Sequence, residues 1–156
     1  MSQEAELKSY SAAKLGGWPV RLDPRTSGYA TVIRILYVED NEDNVYMLKM
    51  RLELTNEFEV LVAEDGEKGC EMAAAERPEL ILMDLEMPVV DGWEATRRLK
   101  SNPATRDMPV IGLSAHALAG EREKAVAAGC EEFDTKPVEF DQLLAKIRKL
   151  ASAHVK

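Results

Sequence analysis

The stretch LILMDLEMP, residues 80–88, runs through four apolar residues into the carboxylate of Asp84. An unbroken apolar run of this length indicates a strand that is covered on both faces, as in a parallel sheet between helices. A carboxylate at the point where such a strand leaves the core is costly unless it is solvated, paired or bound to a cation. Asp84 is therefore the first candidate for a functional residue.

Three further short apolar stretches along the chain also end in polar residues. They lie at residues 33–38, at 110–113 and just before Lys136-Pro137. If these stretches are parallel strands, the groups that follow them gather at the carboxyl edge of one sheet, where ligands bind in open α/β folds. The residues so gathered are Glu39, Asp40, Asp84, Ser114 and Lys136.

Helical periods separate the strand-like runs. Strands are expected at 33–38, 58–63, 80–83, 110–113 and 132–134. Helices are expected over 45–52 after a cap at Asn41 or Asp43, over 66–76, from Asp91 to Lys100, over 118–128 before Gly129, and over 140–150. Strict alternation of five strands and five helices predicts an α/β fold built on a doubly wound parallel sheet.

Several side chains are assigned to the core by helical spacing. The expected inward residues are Cys70, Ala73, Ala74, Trp93, Thr96 and Leu99, and the methionines at 47, 50, 72 and 87 are expected to fill the core. The two cysteines have no spacing typical of a metal site, so both are interpreted as small apolar side chains.

Composition limits the class of protein. The 156 residues are enough for one domain with a real core, and the net charge of −8 opposes binding to nucleic acid or to an anionic membrane. No apolar stretch has the length of a membrane span, and the N-terminus has no signal-peptide core. We therefore expect a cytoplasmic protein with neither nucleic-acid nor membrane partners.

Residues 1–31 differ from the rest, because Gly and Pro interrupt them and no period is sustained. We interpret them as a flexible arm or a remnant of cloning. A short helix over residues 3–15, or docking of Trp18 or Tyr29 on the domain or on a partner, is the alternative. The domain is expected at 32–152, with a C-terminal tail at 153–156.

The gathered groups suit phosphoryl transfer. Three close carboxylates cannot all stay ionised without a countercharge, and an all-oxygen site at an open rim favours Mg²⁺ over zinc. Lys136 would neutralise an incoming anion and Ser114 would offer a hydroxyl. A nucleophilic carboxylate, a divalent cation, a lysine and a hydroxyl are the groups that align and neutralise a transferring phosphoryl group.

The order of these motifs resembles the receiver domain of two-component response regulators. The similarity is carried by Glu39-Asp40, by residues 83–88 with Asp91-Gly92, by Ser114-Ala115 and by Lys136-Pro137, and it covers about residues 32–150. The resemblance implies a flavodoxin-like (βα)5 sheet with strand order 2-1-3-4-5. It also implies a cis peptide bond between Lys136 and Pro137.

The same resemblance assigns roles to residues. It implies that Asp84 accepts the phosphoryl group, that Asp40 and Asp84 bind Mg²⁺ directly, that Glu39 binds it through water and that Glu86 contributes its backbone carbonyl. Ser114 and Lys136 would each bind a phosphoryl oxygen. Phe133 would act with Ser114 as the switch, and the side chains of Glu86 and His116 would modulate the phosphoryl lifetime. For the single residues, solvation, core packing or helix capping are the plainer alternatives.

The function predicted from this resemblance is that of a single-domain response regulator, because only six residues follow Leu150. Such a protein is expected to be a signalling switch and not an enzyme. A histidine kinase or a histidine phosphotransfer protein would phosphorylate it. A downstream protein would read the surface of the fourth helix, fifth strand and fifth helix, a surface that also serves homodimers in this family. The alternatives are a receiver excised from a hybrid kinase, an aspartyl-phosphate phosphohydrolase resembling the haloacid dehalogenases, and a receiver-like adaptor that is not phosphorylated.

Overall fold

The computed structural model of the chain describes residues 14–15, 18–23, 28–116 and 118–154, with side chains for 32–116 and 118–151. Three short strands come first: β1 (Lys14–Leu15), β2 (Trp18–Asp23) and β3 (Gly28–Thr31). They pair in antiparallel fashion in the order β1-β2-β3. The sequence pattern missed these strands, because they are short and Gly and Pro lie among them. The helix considered for residues 3–15 is wrong at 14–15, and its other residues lie outside the described ones.

Five parallel strands form the main sheet. They are β4 (Ile33–Val38), β5 (Phe58–Ala63), β6 (Leu80–Asp84), β7 (Val110–Ser114) and β8 (Glu132–Thr135). The strand order is β5-β4-β6-β7-β8, and all four pairings are parallel. Counted from β4, this is the expected order 2-1-3-4-5, so the predicted flavodoxin-like fold is confirmed.

Five helices connect and follow these strands: α1 (Glu42–Leu54), α2 (Gly66–Glu76), α3 (Gly92–Ser101), α4 (Glu121–Ala128) and α5 (Phe140–His154). Asn41, not Asp43, caps α1, and Asp91 caps α3 as expected. The predicted start of α4 at 118 is wrong. Gly120 has a φ of 91°, a left-handed conformation that cannot continue an α-helix, so α4 begins at Glu121.

The helices cover both faces of the sheet. Alternate residues of each strand point to opposite faces, so Leu36 and Ile81 pack in one apolar layer and Ile35 and Leu80 in the other. The first layer is completed by α2, α3 and α4, and the second by α1 and α5. The polar strand ends therefore emerge at a rim between two packed layers.

The core prediction for α3 is confirmed, since Trp93, Thr96 and Leu99 are all buried. Three other assignments are wrong: Ala74 is exposed, Met47 is 56% exposed and Met50 is 39% exposed. In α1 the positions that face the sheet are taken by Leu48 and Leu52, which turns both methionines outward. Among the helices that the structure describes, none combines the length and apolar character needed to cross a bilayer.

Candidate functional site

The structure brings the polar strand ends together at one edge of the sheet. Asp84 and Ser114 are the last residues of β6 and β7, one residue later than the expected strand ends. Glu39 directly follows β4, and its N–H still donates to the Ala63 carbonyl as the strand ladder would require. Lys136 directly follows β8, and its N–H donates to the Ser114 carbonyl at 2.8 Å. Backbone pairing between neighbouring strands thus fixes how far along its strand each functional side chain lies.

Three carboxylates lie side by side at this edge. One oxygen from each of Glu39, Asp40 and Asp84 lies within 4.8 Å of the other two. Glu39 is 1% exposed and Asp84 is 2% exposed, whereas Asp40 is exposed at the rim. The cluster therefore has two acids removed from water and one that keeps the site open.

Lys136 supplies the positive charge in contact with this cluster. Its Nζ lies 2.9 Å from Glu39 Oε1 and 3.2 Å from Asp84 Oδ1. One ammonium group cannot balance three carboxylates, so the described residues leave an excess of negative charge at the rim.

Two further donors, which the sequence analysis missed, hold Glu39 in place. Asn44 Nδ2 donates to Glu39 Oε1 at 2.8 Å, and the Tyr37 hydroxyl lies 3.4 Å from the same oxygen. Tyr37 is two residues before Glu39, so the strand period places both on one face, and this signal could have identified it. Burial, together with the nearby carboxylates, raises the pKa of Tyr37 and keeps its hydroxyl protonated.

The surroundings shift the pKa values of the two buried acids, Asp84 and Glu39, in opposite directions. Burial, reinforced by Glu39, raises the pKa of Asp84 from 3.8 to about 7 against the opposing effect of Lys136. Burial would also raise the pKa of Glu39, but its contacts with Asp84, Lys136 and Asn44 outweigh burial and lower it. Lys136 has a raised pKa because the two carboxylates outweigh its own burial. Without a cation, the acid pair therefore retains a proton more readily than two solvated carboxylates would.

The geometry fits a divalent cation. Glu39 Oε2 is buried and has no hydrogen-bond partner among the residues whose side chains are described. An orphaned buried oxygen beside two other carboxylates is an arrangement that a hard cation with oxygen ligands would satisfy. The backbone carbonyl of Glu86 stays a predicted ligand, because the observed cluster consists of side-chain carboxylates.

Ser114 lies on the other flank of Asp84 and is fully buried. Its Oγ donates to Glu86 Oε1 at 2.5 Å, and the Ala115 N–H donates to Glu86 Oε2 at 3.1 Å. His116 contributes its backbone N–H, which donates to Ser114 Oγ at 3.1 Å, and is itself exposed. The sequence singled out Glu86 for its place two residues after Asp84, but not its contact with Ser114.

Gly92 lies against the backbone of the candidate phosphoryl acceptor. A Cβ at this position would overlap the Asp84 carbonyl oxygen and lie 2.6 Å from Leu85 Cα. The Gly92 N–H donates to the Leu85 carbonyl at 3.1 Å, so α3 starts directly on the segment that leaves β6. Only glycine permits so close an approach.

Phe133 is buried in the layer that α2, α3 and α4 complete. Its role as a switch stays a prediction, since an aromatic ring at this place is also ordinary core. The peptide bond between Lys136 and Pro137 is cis, as the resemblance implied.

Comparison with known proteins supports the same grouping. The family model described as the response regulator receiver domain matches residues 35–148. The response regulator PleD of Caulobacter vibrioides is 39% identical over 117 residues, which are 75% of this chain and 26% of PleD. The polar-differentiation response regulator DivK of Brucella anthropi is 33% identical over 114 residues, 73% of this chain and 92% of DivK.

A solved structure adds a bound ion to the comparison. The receiver domain of a sensor histidine kinase from Pseudomonas aeruginosa, with magnesium coordinated in its active-site cleft, has a TM-score of 0.72 and 32% identity. The match covers 78% of this chain and 99% of that domain. The chain spans about a quarter of PleD but nearly all of DivK and of this domain. It belongs to the response regulator receiver domain family.

Proposed function

We propose that the protein is a phosphorylated signalling switch, in which Asp84 accepts a phosphoryl group from a phosphohistidine of a histidine kinase or phosphotransfer protein. The supporting observation is that the Asp84 carboxylate belongs to an acid cluster suited to a cation, pairs with Lys136 and ends a strand whose neighbour on the other flank ends at Ser114.

The reaction follows from these contacts. An oxygen of ionised Asp84 attacks the phosphorus, the new O–P bond forms as the P–N bond breaks, and the electron pair stays on the imidazole nitrogen. Mg²⁺ held by Glu39, Asp40 and Asp84, with the Glu86 carbonyl, would neutralise charge on the acids and on the transferring oxygens. Lys136 Nζ, which pairs with Asp84 Oδ1, would turn to one phosphoryl oxygen, and Ser114 Oγ would donate to another.

The output of the switch would be a protein contact. The surface formed by α4, β8 and α5 lies on the Ser114 side of the sheet, because β8 pairs with β7. Movement of the segment after Ser114 on phosphorylation would change this surface, with Phe133 of β8 adjusting behind it. We propose that a downstream protein, or a second copy of the chain, recognises the changed surface in the cytoplasm.

Two relatives bear on how the domain is used. The nearly complete match to DivK favours a free-standing regulator, whereas the magnesium-bound neighbour is the receiver domain of a sensor histidine kinase, which favours a hybrid-kinase fragment. A phosphohydrolase is less well supported. Its second acid would be Glu86, but that carboxylate is already bound by Ser114 and Ala115.

Beryllofluoride with Mg²⁺ tests the function, because it mimics an acyl phosphate without a kinase. We expect it to shift the amide resonances of Ser114 and Phe133, and we expect acetyl phosphate to add one phosphoryl group, detected by intact mass. Neither change should occur in Asp84→Asn. A wild-type chain that shows no response, or a response that persists in Asp84→Asn, would exclude Asp84 as the acceptor. Steady turnover of p-nitrophenyl phosphate would favour the hydrolase instead.

A further inference from the structure

The side chain of Glu86 occupies the hydrogen-bond donors on the Ser114 flank. Its two carboxylate oxygens bind different donors, Oε1 the Ser114 hydroxyl at 2.5 Å and Oε2 the Ala115 N–H at 3.1 Å. A hydroxyl and a backbone N–H that converge on one charged, two-oxygen group form a bidentate anion site. In this structure an acid of the chain itself fills that site.

The backbone of Glu86 ties this acid to the acceptor. Its N–H donates to Asp84 Oδ1 at 3.1 Å, and only Leu85 separates it from Asp84 in the chain. A phosphoryl group on Asp84 would thus be attached one short segment away from the carboxylate that now binds Ser114 and Ala115. Both anions are tethered to the same strand end, and both have oxygens that suit the same two donors.

We propose that the Glu86 carboxylate is an internal stand-in for the phosphoryl group, which holds Ser114 and the start of the β7–α4 segment until a phosphoryl group on Asp84 displaces it. This inference rests on the proposed function of Asp84. Glu86 is in this view a positioning residue. It acts through Ser114 and Ala115. The free energy needed to release these two donors from Glu86 lowers the net affinity of the site for the phosphoryl group.

Substitution of Glu86 should change the affinity for a phosphoryl analogue in a defined direction. In Glu86→Gln the side chain keeps its size but loses its charge and one of its two strong acceptors, so the donors are released at lower cost. Hydrogen bonds to a charged group contribute more than neutral ones, so removal of the competitor should raise the affinity for beryllofluoride with Mg²⁺ by about ten-fold. Damage to the site would lower that affinity, so the two explanations differ in direction.

A first measurement needs no phosphoryl analogue. The Ala115 amide of the wild-type chain should exchange slowly with solvent, and its exchange should be about ten-fold faster in Glu86→Gln and in Glu86→Ala. Glu71→Gln removes the same charge from an exposed position of α2 and should leave the Ala115 amide unchanged. An Ala115 amide with the same exchange rate in wild type and both Glu86 variants would overturn the proposal.

A second measurement is a titration with beryllofluoride at saturating Mg²⁺, followed at the Phe133 amide in wild type, Glu86→Gln, Glu86→Ala and Glu71→Gln. We expect each Glu86 variant, but not Glu71→Gln, to bind beryllofluoride more tightly than wild type. The gain should be smaller when the same Glu86 substitution is made in a Ser114→Ala background, because the two residues share one hydrogen bond. Wild-type binding that is not tightened in either Glu86 variant would overturn this inference alone. Absence of binding in every variant would overturn the proposed function and the inference with it.

Discussion

The two flanks of Asp84 differ in net charge and in whether their hydrogen-bonding groups are already satisfied. On the flank of β4, which the Lys136 side chain reaches from the end of β8, the acids Glu39, Asp40 and Asp84 meet one lysine, and a buried oxygen of Glu39 is left without a partner among the described side chains. On the flank of β7, the donors Ser114 Oγ and Ala115 N–H are already satisfied by Glu86. The first flank has an excess of negative charge, whereas the second has its donors filled.

This difference shows what each flank requires before phosphorylation. A cation can join the first flank at Glu39 Oε2, a buried acceptor oxygen to which no described residue donates a hydrogen bond. On the second flank a new anion has to displace an existing one. Binding of Mg²⁺ should therefore be favourable by itself, whereas engagement of Ser114 should be an exchange with a small net gain.

Gly92→Ala should have the largest effect, because Gly92 packs against the backbone of Asp84, from which both flanks are defined. A Cβ there would overlap the Asp84 carbonyl oxygen, so the start of α3 or the end of β6 has to move. We expect the free energy of unfolding in urea to fall by about 3 kcal/mol. Gly120→Ala is the control, since a Cβ there would meet nothing within 4 Å and only the φ of 91° opposes it, at about 1 kcal/mol. Equal losses in the two variants would contradict the close contact.

Lys136→Met would unbalance the cation flank alone. Without Nζ, the buried pair of Glu39 and Asp84 loses its countercharge, and the metal-free chain should lose about 2 kcal/mol in urea unfolding. Saturating Mg²⁺ should restore part of that loss by linkage. Lys149→Met, which removes an exposed ion pair with Glu132, should change little. Loss of stability that Mg²⁺ does not reduce would argue against a cation at this flank.

Asp84→Asn should stabilise the metal-free chain, because the variant has no charge to bury beside Glu39. The pKa of Asp84 is about 7 in the fold against an ordinary 3.8, so its protonated form is favoured by folding and its contribution to stability is lost as pH rises through about 7. The variant should be more stable than the wild type above pH 7, and this gain should vanish near pH 4. Thermal unfolding in a chelator across this range would measure it, and a gain that grew towards acid pH would contradict the assignment.

Tyr37→Phe should have the smallest effect. The hydroxyl lies 3.4 Å from Glu39 Oε1, which keeps Asn44 and Lys136 as closer donors. We expect a loss of at most about 0.5 kcal/mol in the metal-free chain. Asn44→Ala, which removes a 2.8 Å hydrogen bond to the same oxygen, is the comparison and should cost more. A larger loss for Tyr37→Phe than for Asn44→Ala would mean that the tyrosine is the main support of Glu39.

Side-chain burial in the helices could be predicted only in part. In α3, capped by Asp91, the spacing of Trp93, Thr96 and Leu99 indicated the buried face correctly. In α1 the same reasoning failed for Met47 and Met50, because apolar residues occupy more of the helix surface than the sheet can cover. Helical periodicity identifies an apolar face but not how wide a part of it the neighbouring layer will bury.

By itself, the sequence determined the five-stranded alternation and the polar residues at the strand ends, because both depend on local patterns of hydrophobicity and on the geometry of parallel sheets. It could not determine which donor meets which oxygen. Lys136 reaches Glu39 across 97 residues, and Ser114 reaches Glu86 across 28. Such contacts depend on the relative height of neighbouring strands and on side-chain conformations within a packed rim. Only the tertiary structure therefore showed that one flank of Asp84 carries more negative charge than Lys136 balances while the other already holds an anion.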